Sequence, residues 1–474
     1  MISALGLRIS AVFRRTAPDP FVLAILLTLL TAILALAIGD FPGKNPEESR
    51  IAVLINVWRG DKGLWTFLAF SMQMCLILVT GHVLATTPPV RRLIDLLAGV
   101  PRSTAQAAAL VAVAACGAAI INWGFGLIVG ALLARAAGHS LARRGIPTHY
   151  PLIVAAGYTG LMIWHGGLSG SAPLSVTTVG AAAKTLPMPL IERLAGQPAP
   201  SAETPLIGLQ ETLGAPFNFF ITGGILTITP LVFWLMSPRR ADQMIPPPPA
   251  EPGAASADAP AASGERPTIP DLLETTPPIA WLLAFALLAG FIVYVGKAGF
   301  FSIGLNEVNM LMLALGLLLH GSIRSYAAAA EEAARGCAGI ILQFPLYGGI
   351  MGMMVVSGLV GIVATKTAEI SSPTTLPLLT FCSAAVLNMF VPSGGGQWGV
   401  QGPIALESAQ MLGVEPGKLV MAVAYGDQLT NMLQPFWALP LLAITGVKAR
   451  DIVGYTALAM LVAGAWIALG LLIF

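Results

Sequence analysis

Long stretches without a charged residue constrain this chain more than any other feature of its sequence. Phe21–Gly39 carries no charge, and at about 1.5 Å per residue a helix of that length crosses a hydrocarbon core of about 30 Å. Similar apolar runs recur at 64–87, 217–236, 279–295, 308–320 and 452–474. Only 10% of the residues are charged, against about 25% in a soluble domain. The sequence therefore predicts an all-α polytopic membrane protein.

Two uncharged runs are too long to be single spans. They lie between Arg102 and Arg135 and between Glu369 and Glu407, and as straight helices they would be about 48 and 55 Å long, well beyond the hydrocarbon thickness. Polar and helix-breaking residues occupy the middle of each run, around Asn122 in the first and 388–396 in the second. Each run is predicted to be a re-entrant hairpin, at about 104–137 and about 372–412.

The order of these segments indicates two inverted repeats with discontinuous transmembrane helices. Basic residues such as Arg8, Arg14 and Arg15 place the N-terminus in the cytoplasm by the positive-inside rule. Inverted repeats with broken helices are the usual plan of secondary transporters. The predicted units are an N-terminal transmembrane repeat at 1–237 with a broken helix at about 150–183, a flexible cytoplasmic linker at 238–277, and a C-terminal repeat at 278–474 with a broken helix at about 417–446.

Polar and helix-breaking residues form groups where the middle of the bilayer is expected. Interrupted backbone is tolerated at this depth only where it is buried in protein or lines a wet cavity. Broken helices present N-terminal N–H groups with a partial positive charge, which can hold a carboxylate without a basic side chain. The candidate substrate-binding residues are Asn122, Trp123 and Gly124; His165, Gly166, Gly167, Ser169, Gly170 and Ser171; and Asn388, Pro392, Ser393, Gly394, Gly395, Gly396 and Gln397.

A further polar group contains a carboxylate. Asp427 lies within an apolar run, where a charged side chain is costly and marks a functional candidate. Asp427, Thr430, Asn431 and Gln434 are predicted to bind or relay a coupling cation, because unwound helices supply oxygen ligands for small cations. Close packing is the alternative explanation for each group, since Gly and Ser also serve helix contacts. His165 fits either a proton carrier or a hydrogen-bonded packing residue.

Other classes of function find little support. The net charge is +2 and no dense basic cluster indicates nucleic acid. The four cysteines lie in apolar runs without metal-ligand spacing, so they are expected to be small buried side chains and no metal site is predicted. An intramembrane hydrolase using Ser169 or Ser171 with His165 would have only the distant Asp427 as an orienting acid. We expect no enzyme, no catalytic residue and no cofactor other than a coupling H⁺ or Na⁺.

Motifs at these groups resemble the bacterial short-chain fatty acid transporter family, which is associated with acetoacetate and butyrate uptake. The resemblance covers nearly the whole chain outside the predicted linker. A wider resemblance is to the ion-transporter superfamily, in which paired re-entrant hairpins and broken helices build the site and dimers are usual. The motifs are Pro18-Asp19-Pro20-Phe21, Ser71-Met72-Gln73-Met74, Ile121-Asn122-Trp123-Gly124-Phe125, Gly166-Gly167-Leu168-Ser169-Gly170-Ser171, Val391-Pro392-Ser393-Gly394-Gly395-Gly396 and Gln434-Pro435-Phe436-Trp437.

This resemblance implies a small monocarboxylate substrate and a multi-pass location in the bacterial inner membrane. A homodimer becomes a hypothesis alongside contact with membrane lipid. The expected function is uptake of a short-chain fatty acid or keto-acid anion, with H⁺ and Na⁺ both open as the coupling ion. Transport of dicarboxylates or amino-acid conjugates is the alternative; the absence of Lys and Arg from the polar groups argues against a second negative charge.

Overall fold

The computed structural model describes residues 2–16, 18–249, 268–299 and 305–474. In these ranges the regular structure is helical, apart from one isolated bridge between Thr178 and Pro205. Eight helices of the described residues are long and apolar enough to cross a membrane, and three shorter helices are also apolar. The prediction of an all-α polytopic membrane protein is confirmed.

The first half of the chain contains a helical hairpin followed by a broken helix and a long span. The broken helix consists of α8 and α9, joined by 3₁₀ turns at Thr159–Met162 and Trp164–Gly166. The helices of the first half are α1 Ile2–Thr16, α2 Pro20–Ile38, α3 Arg50–Arg59, α4 Leu68–Thr86, α5 Pro88–Gly99, α6 Thr104–Ile121, α7 Trp123–Arg143, α8 Tyr150–Gly157, α9 Ser171–Ser175, α10 Val179–Ala182, α11 Met188–Ala195 and α12 Pro216–Met236.

The second half ends with the same order of hairpin, broken helix and long span. Here the broken helix consists of α21 and α22, joined by a 3₁₀ turn at Asn431–Leu433. The helices of the second half are α13 Ile269–Thr275, α14 Pro277–Ala298, α15 Leu305–His320, α16 Ile323–Ala334, α17 Ala338–Val356, α18 Leu359–Glu369, α19 Leu376–Asn388, α20 Gly394–Leu412, α21 Pro416–Thr430, α22 Pro435–Thr445 and α23 Ala449–Ile473.

The first hairpin, α6–α7, returns to the side from which it starts. Thr104, the first residue of α6, accepts a hydrogen bond of 3.0 Å from the backbone N–H of His149, which follows the end of α7. The guanidinium of Arg144, at the end of α7, donates to the carbonyl of Pro101 at 2.6 Å. These contacts tie both ends of the hairpin together, so α6 and α7 return the chain to its starting side; that the hairpin is re-entrant in the bilayer stays a prediction.

The second hairpin, α19–α20, also doubles back. Leu376 at the start of α19, Ala409 near the end of α20 and Leu419 in α21 belong to one buried apolar cluster. Between the two helices the chain turns through residues 389–393, which include Pro392. The proline has no N–H and disfavours helical geometry at its predecessor, so Pro392 favours a break between α19 and α20.

The two hairpins open towards opposite faces of the helix bundle. The long helices α12 and α23 run antiparallel, since the ring centroids of Phe220 and Phe474 lie 5.5 Å apart at one end. At the other end the first hairpin meets the start of α23, where His149 Nε2 lies 2.7 Å from the Tyr455 hydroxyl. The start of α21, directly after the second hairpin, meets the loop that leads into α12, because Gly417 packs against the backbone of Glu211.

In its described residues, the segment predicted to be a linker, 238–277, contains a 3₁₀ turn at Ala241–Gln243 and the short helix α13. Residues 250–267 lie outside the described residues, and α13 follows them. The Thr268 hydroxyl donates to the Asp271 carboxylate at 2.6 Å, and Arg324 of α16 donates to the same carboxylate at 2.9 Å. These partners, Thr268 foremost, lower the pKa of Asp271 to about 2, so an ionised carboxylate ties α13 to the bundle at neutral pH.

One expectation about the cysteines is wrong. Cys75, Cys116 and Cys337 are buried, whereas Cys382 is exposed on α19. An apolar run predicts a membrane helix but does not say which of its faces is turned outward, and Cys382 lies on such an outward face.

Candidate functional site

The tip of the first hairpin is closed by its own residues. Asn122 adopts an extended conformation between α6 and α7, and its Oδ1 atom accepts hydrogen bonds from the N–H groups of Gly124 and Phe125 at 3.0 and 3.1 Å. The N–H of Trp123 donates to the Ser169 hydroxyl at 3.0 Å. The first three N–H groups of α7 therefore have partners within the protein, which limits what this end can offer to a carboxylate.

The tip of the second hairpin is different. Ser393 caps α20 by accepting a 3.1 Å hydrogen bond from the N–H of Gly396. The N–H groups of Gly394 and Gly395 make no hydrogen bond to any described residue. Gly395 is exposed, and a Cβ atom placed on it would have no neighbour within 4 Å. The positive end of a helix of 19 residues thus faces open space.

This second tip rests on the broken helix of the first half. A Cβ atom on Gly394 would lie 2.8 Å from the Nε2 and Cε1 atoms of His165 and 3.1 Å from the Trp164 ring. The rings of Trp164 and His165 are themselves in contact, with centroids 3.6 Å apart and planes tilted by 32°. Only a residue without a side chain fits at Gly394, and this close approach joins the α20 N-terminus to the His165 imidazole.

His165 and Asp427 form a hydrogen-bonded pair across the two halves, which is an ion pair whenever the imidazole is protonated. The His165 Nε2 atom lies 3.0 Å from Asp427 Oδ1, and both residues are buried, with exposed fractions of 0% and 3%. The backbone N–H of His165 donates to Gln428 Oε1 at 2.9 Å, which holds the two broken helices in register. The Nδ1 atom of His165 and the Oδ2 atom of Asp427 have no partner among the described residues. Each member of the pair therefore keeps one polar atom without a described partner.

The four predicted cation residues surround Asn388. Its side-chain Nδ2 atom lies 2.6 Å from the Asp427 carbonyl oxygen and 3.0 Å from both Thr430 Oγ1 and Asn431 Oδ1. The Gln434 amide donates to the Asn388 carbonyl. The oxygens Asn388 Oδ1 and Gln434 Oε1 lack a partner among the described residues. These residues form a buried, oxygen-rich cluster behind the second tip.

Three candidate glycines of the first broken helix have a packing role. A Cβ atom on Gly166 would overlap the Thr222 hydroxyl, one on Gly167 would overlap the Ile120 carbonyl, and one on Gly170 would lie 2.5 Å from the His165 carbonyl. Each glycine allows a helix or the hairpin tip to approach closely. They shape the site by letting other residues reach it.

Other candidates do not reach the ion pair. Gln397 turns back into its own hairpin, where it donates to the Ala384 carbonyl at 2.9 Å and to Gln401 Oε1 at 3.0 Å. Ser171, at the start of α9, makes no side-chain hydrogen bond to a described residue. Asn122 caps α7 in the first half, and Asn388 binds the Asp427 carbonyl in the second.

Sequence reasoning missed several polar residues that hold the broken helices. The Tyr158 hydroxyl lies 2.8 and 2.9 Å from the carbonyl oxygens of Asn431 and Gln434. The Tyr425 hydroxyl donates at 2.7 Å to Asn218, whose own amide donates to the Gly166 carbonyl at 3.1 Å. An asparagine inside the apolar run 217–236 was the available signal for Asn218. Tyr158 and Tyr425 each precede a Pro-Leu pair by the same number of residues, and this spacing was the signal that they occupy equivalent positions in the two repeats.

Aromatic rings form an apolar wall beside the ion pair. The ring centroid of Trp123 lies 6.0 Å from that of Trp164 and 5.2 Å from that of Trp437. Phe436 continues the wall, 5.1 Å from Trp437. Three tryptophans from the first tip and from both broken helices therefore meet, and they provide apolar surface next to the open α20 N-terminus.

Comparison with known proteins gives matches along the whole chain. Residues 1–474 match the family described as short chain fatty acid transporter. A relative from Escherichia coli (strain K12), named for short-chain fatty acid transport, is 39% identical over 469 residues, 97% of each chain. Another relative with the same name, from Haemophilus influenzae, is 36% identical over 467 residues and covers the same shares.

Two solved structures align with the chain at lower identity. The YdaH transporter of Alcanivorax borkumensis is 18% identical, with 96% of this chain and 97% of that protein aligned and a TM-score of 0.41. MtrF of Neisseria gonorrhoeae is 15% identical, with 98% and 97% aligned and a TM-score of 0.36. At these TM-scores the likeness is too distant to transfer any residue of the site.

Proposed function

This chain belongs to the short-chain fatty acid transporter family, and we propose that it carries a short-chain fatty acid or keto-acid anion, such as butyrate or acetoacetate, across the membrane together with a proton. One observation carries this proposal. Gly394 and Gly395 at the start of α20 have N–H groups without a described partner, and Gly394 packs against His165, which is paired with the buried Asp427. An anion site and a proton site thus share one wall.

The carboxylate would bind at the N–H groups of Gly394 and Gly395. A helix N-terminus carries a partial charge of about +0.5, which suits one negative charge without a basic side chain. The aromatic wall of Trp123, Trp164 and Trp437 would hold the apolar part of the substrate. A second carboxylate would have no positive partner in these groups, so the geometry supports a monocarboxylate over a dicarboxylate.

The proton would be carried by the His165–Asp427 pair. Moving one negative charge inward against the membrane potential costs about 2.3 kcal/mol per 100 mV, and a proton carried with it removes that term. Because Gly394 touches the His165 ring, a carboxylate at the α20 N-terminus would favour the protonated imidazole. Binding of substrate and proton would then strengthen each other, as linkage requires.

Na⁺ is the second candidate for the coupling ion. The Asp427 carbonyl, Thr430 Oγ1 and Asn431 Oδ1 all point at one place, and oxygen ligands of this kind suit Na⁺. In this structure the Asn388 amide occupies that place, so a sodium ion would first have to displace it. The His165–Asp427 pair has no such obstacle, and for this reason we favour the proton.

Uptake of labelled butyrate and acetoacetate into proteoliposomes tests the proposal. A pH gradient, acid outside, should drive saturable uptake without Na⁺, whereas a Na⁺ gradient alone should not. Because butyric acid also crosses lipid as the neutral acid, protein-free liposomes and competition by excess unlabelled butyrate must define the carrier-dependent part. Absence of any saturable monocarboxylate uptake by folded protein would refute the proposed substrate. Uptake of succinate or of amino-acid conjugates in its place would support a transporter for dicarboxylates or amino-acid conjugates. Uptake driven only by Na⁺ would assign the coupling to the oxygen-rich cluster around Asn388.

A further inference from the structure

A separate cavity of about 350 Å³ lies on the other side of the second broken helix. Its walls are the corner between α1 and α2, the first turns of α23 and the break between α21 and α22. Gly394 and Gly395 do not line it. The volume falls within the range of about 300–1,000 Å³ that is usual for small-molecule sites, so the cavity is large enough for a ligand of a few carbon atoms.

The lining of this cavity is amphipathic. Most of its wall is apolar, with Leu23, Met389, Ile452 and Val453 among the contributors. Arg450 is the one charged residue among the described residues that line it. It stands in the first turn of α23, is exposed, and makes no ion pair or hydrogen bond with a described residue. One free guanidinium at the end of an apolar wall matches a molecule with one anionic group and a short hydrocarbon part.

The inner end of the cavity reaches the break in the second broken helix. Gln434 lines it with an exposed fraction of only 3%, and its Oε1 atom has no partner among the described residues. The same side chain donates to the Asn388 carbonyl at the second hairpin tip. Tyr158 also lines the cavity while holding the carbonyls of Asn431 and Gln434. The cavity therefore extends from the back of the proposed site to the face where α23 begins.

We propose that this cavity is a second binding site for the transported monocarboxylate, with its carboxylate on Arg450 and its chain against the apolar wall. The inference rests on the proposed function. The anion would bind in this cavity on the predicted cytoplasmic side, and the second broken helix would separate it from the first site. A dicarboxylate would find no second cation among the described residues that line the cavity, and the Asp451 carboxylate that follows Arg450 does not line it.

Thiol protection tests the site directly. Val453→Cys places a thiol in the wall, and Cys382→Ser removes the exposed native cysteine. In this background, butyrate at about ten times its Kd should slow labelling by N-ethylmaleimide about tenfold, since occupancy follows mass action. Neutral butyramide and succinate should protect much less.

Substitution of Arg450 tests its role in the site. Arg450→Gln should raise the butyrate concentration needed for half-maximal protection by about tenfold, the scale of a lost charge-assisted hydrogen bond. Arg450→Lys should restore part of the protection.

The controls separate this site from the proposed function. Arg239→Gln removes another exposed arginine without a described partner and should leave protection unchanged. If the wild-type protein shows no saturable butyrate uptake, the proposed function fails and this inference fails with it. If uptake is saturable but butyrate does not protect the thiol, only the second site is refuted. Protection that follows anionic lipid in nanodiscs and is indifferent to butyrate would also refute it, by assigning the cavity to a lipid.

Discussion

His165 Nε2 lies 3.0 Å from Asp427 Oδ1, although 262 residues separate them in the sequence. Each belongs to the broken helix of its own half, and both side chains are buried. A buried polar group is costly unless it is hydrogen-bonded, and the His165 imidazole is the side chain that gives the Asp427 carboxyl a partner. The pair also touches the α20 N-terminus through Gly394, which makes it the centre of the proposed coupling.

Asp427→Asn should uncouple transport from the proton gradient. Asn is neutral at every pH and can still accept from His165, so exchange of labelled for unlabelled butyrate should persist while accumulation driven by a pH gradient is lost. Proteoliposome uptake and counterflow measure the two activities. Glu369→Gln, which removes an exposed carboxylate paired with Lys366, is the matched control. Gradient-driven accumulation at the wild-type level would remove Asp427 from the mechanism.

Gly395→Pro should weaken substrate binding with little effect on folding. Proline deletes the N–H but is tolerated in the first turn of a helix, and the preceding residue is also glycine, with no Cβ to clash. We expect the KM for butyrate to rise about tenfold or more, the scale of a lost hydrogen bond to a charged group. Gly395→Ala keeps the N–H and projects into open space, so its KM should stay close to wild type. Equal KM values for both variants would place the carboxylate elsewhere.

Gly394→Ala should disturb the ion pair from outside it. The added methyl group would lie 2.8 Å from the imidazole, which forces His165 to move relative to Asp427. Overpacking of this kind costs about 1–3 kcal/mol, so a lower melting temperature and a changed ratio of protons to butyrate transported are expected. Gly395→Ala, one residue away, is again the comparison. A proton-to-butyrate ratio equal to that of wild type would show that this contact does not transmit coupling.

Two adjacent glycines in α12 should respond in opposite ways. A Cβ atom on Gly224 would overlap the Trp466 ring of α23, whereas one on Gly223 has no neighbour within 4 Å. Gly224→Ala should destabilise the protein by about 1–3 kcal/mol through overpacking. Gly223→Ala should leave stability unchanged or raise it by up to about 1 kcal/mol, because alanine favours the helix. Thermal unfolding in detergent measures both; a similar loss in the two variants would mean that α12 and α23 do not pack here as described.

Features that depend on local sequence were predicted well. The uncharged runs identify membrane helices because a bilayer excludes charge over a fixed thickness. The breaks near Asn122 and at residues 389–393 were predicted because polar and helix-breaking residues stand in the middle of overlong runs, and the structure has a break at each. Asn122 further acts as the cap of α7, a role that its residue type favours.

Features that depend on which distant surfaces meet required the tertiary structure. The sequence marked His165 and Asp427 separately, but only the packing of the two broken helices pairs them. It also treated the two hairpin tips as equivalent; in the fold, Ser169 and Asn122 close the first, while the N–H groups of Gly394 and Gly395 at the second have no described partner. Apolar periodicity says that a helix is buried or faces lipid, but not which side chain fills the space opposite it. The composition thus determined a membrane protein with two interrupted hairpins, and long-range packing decided where an anion and a proton could meet.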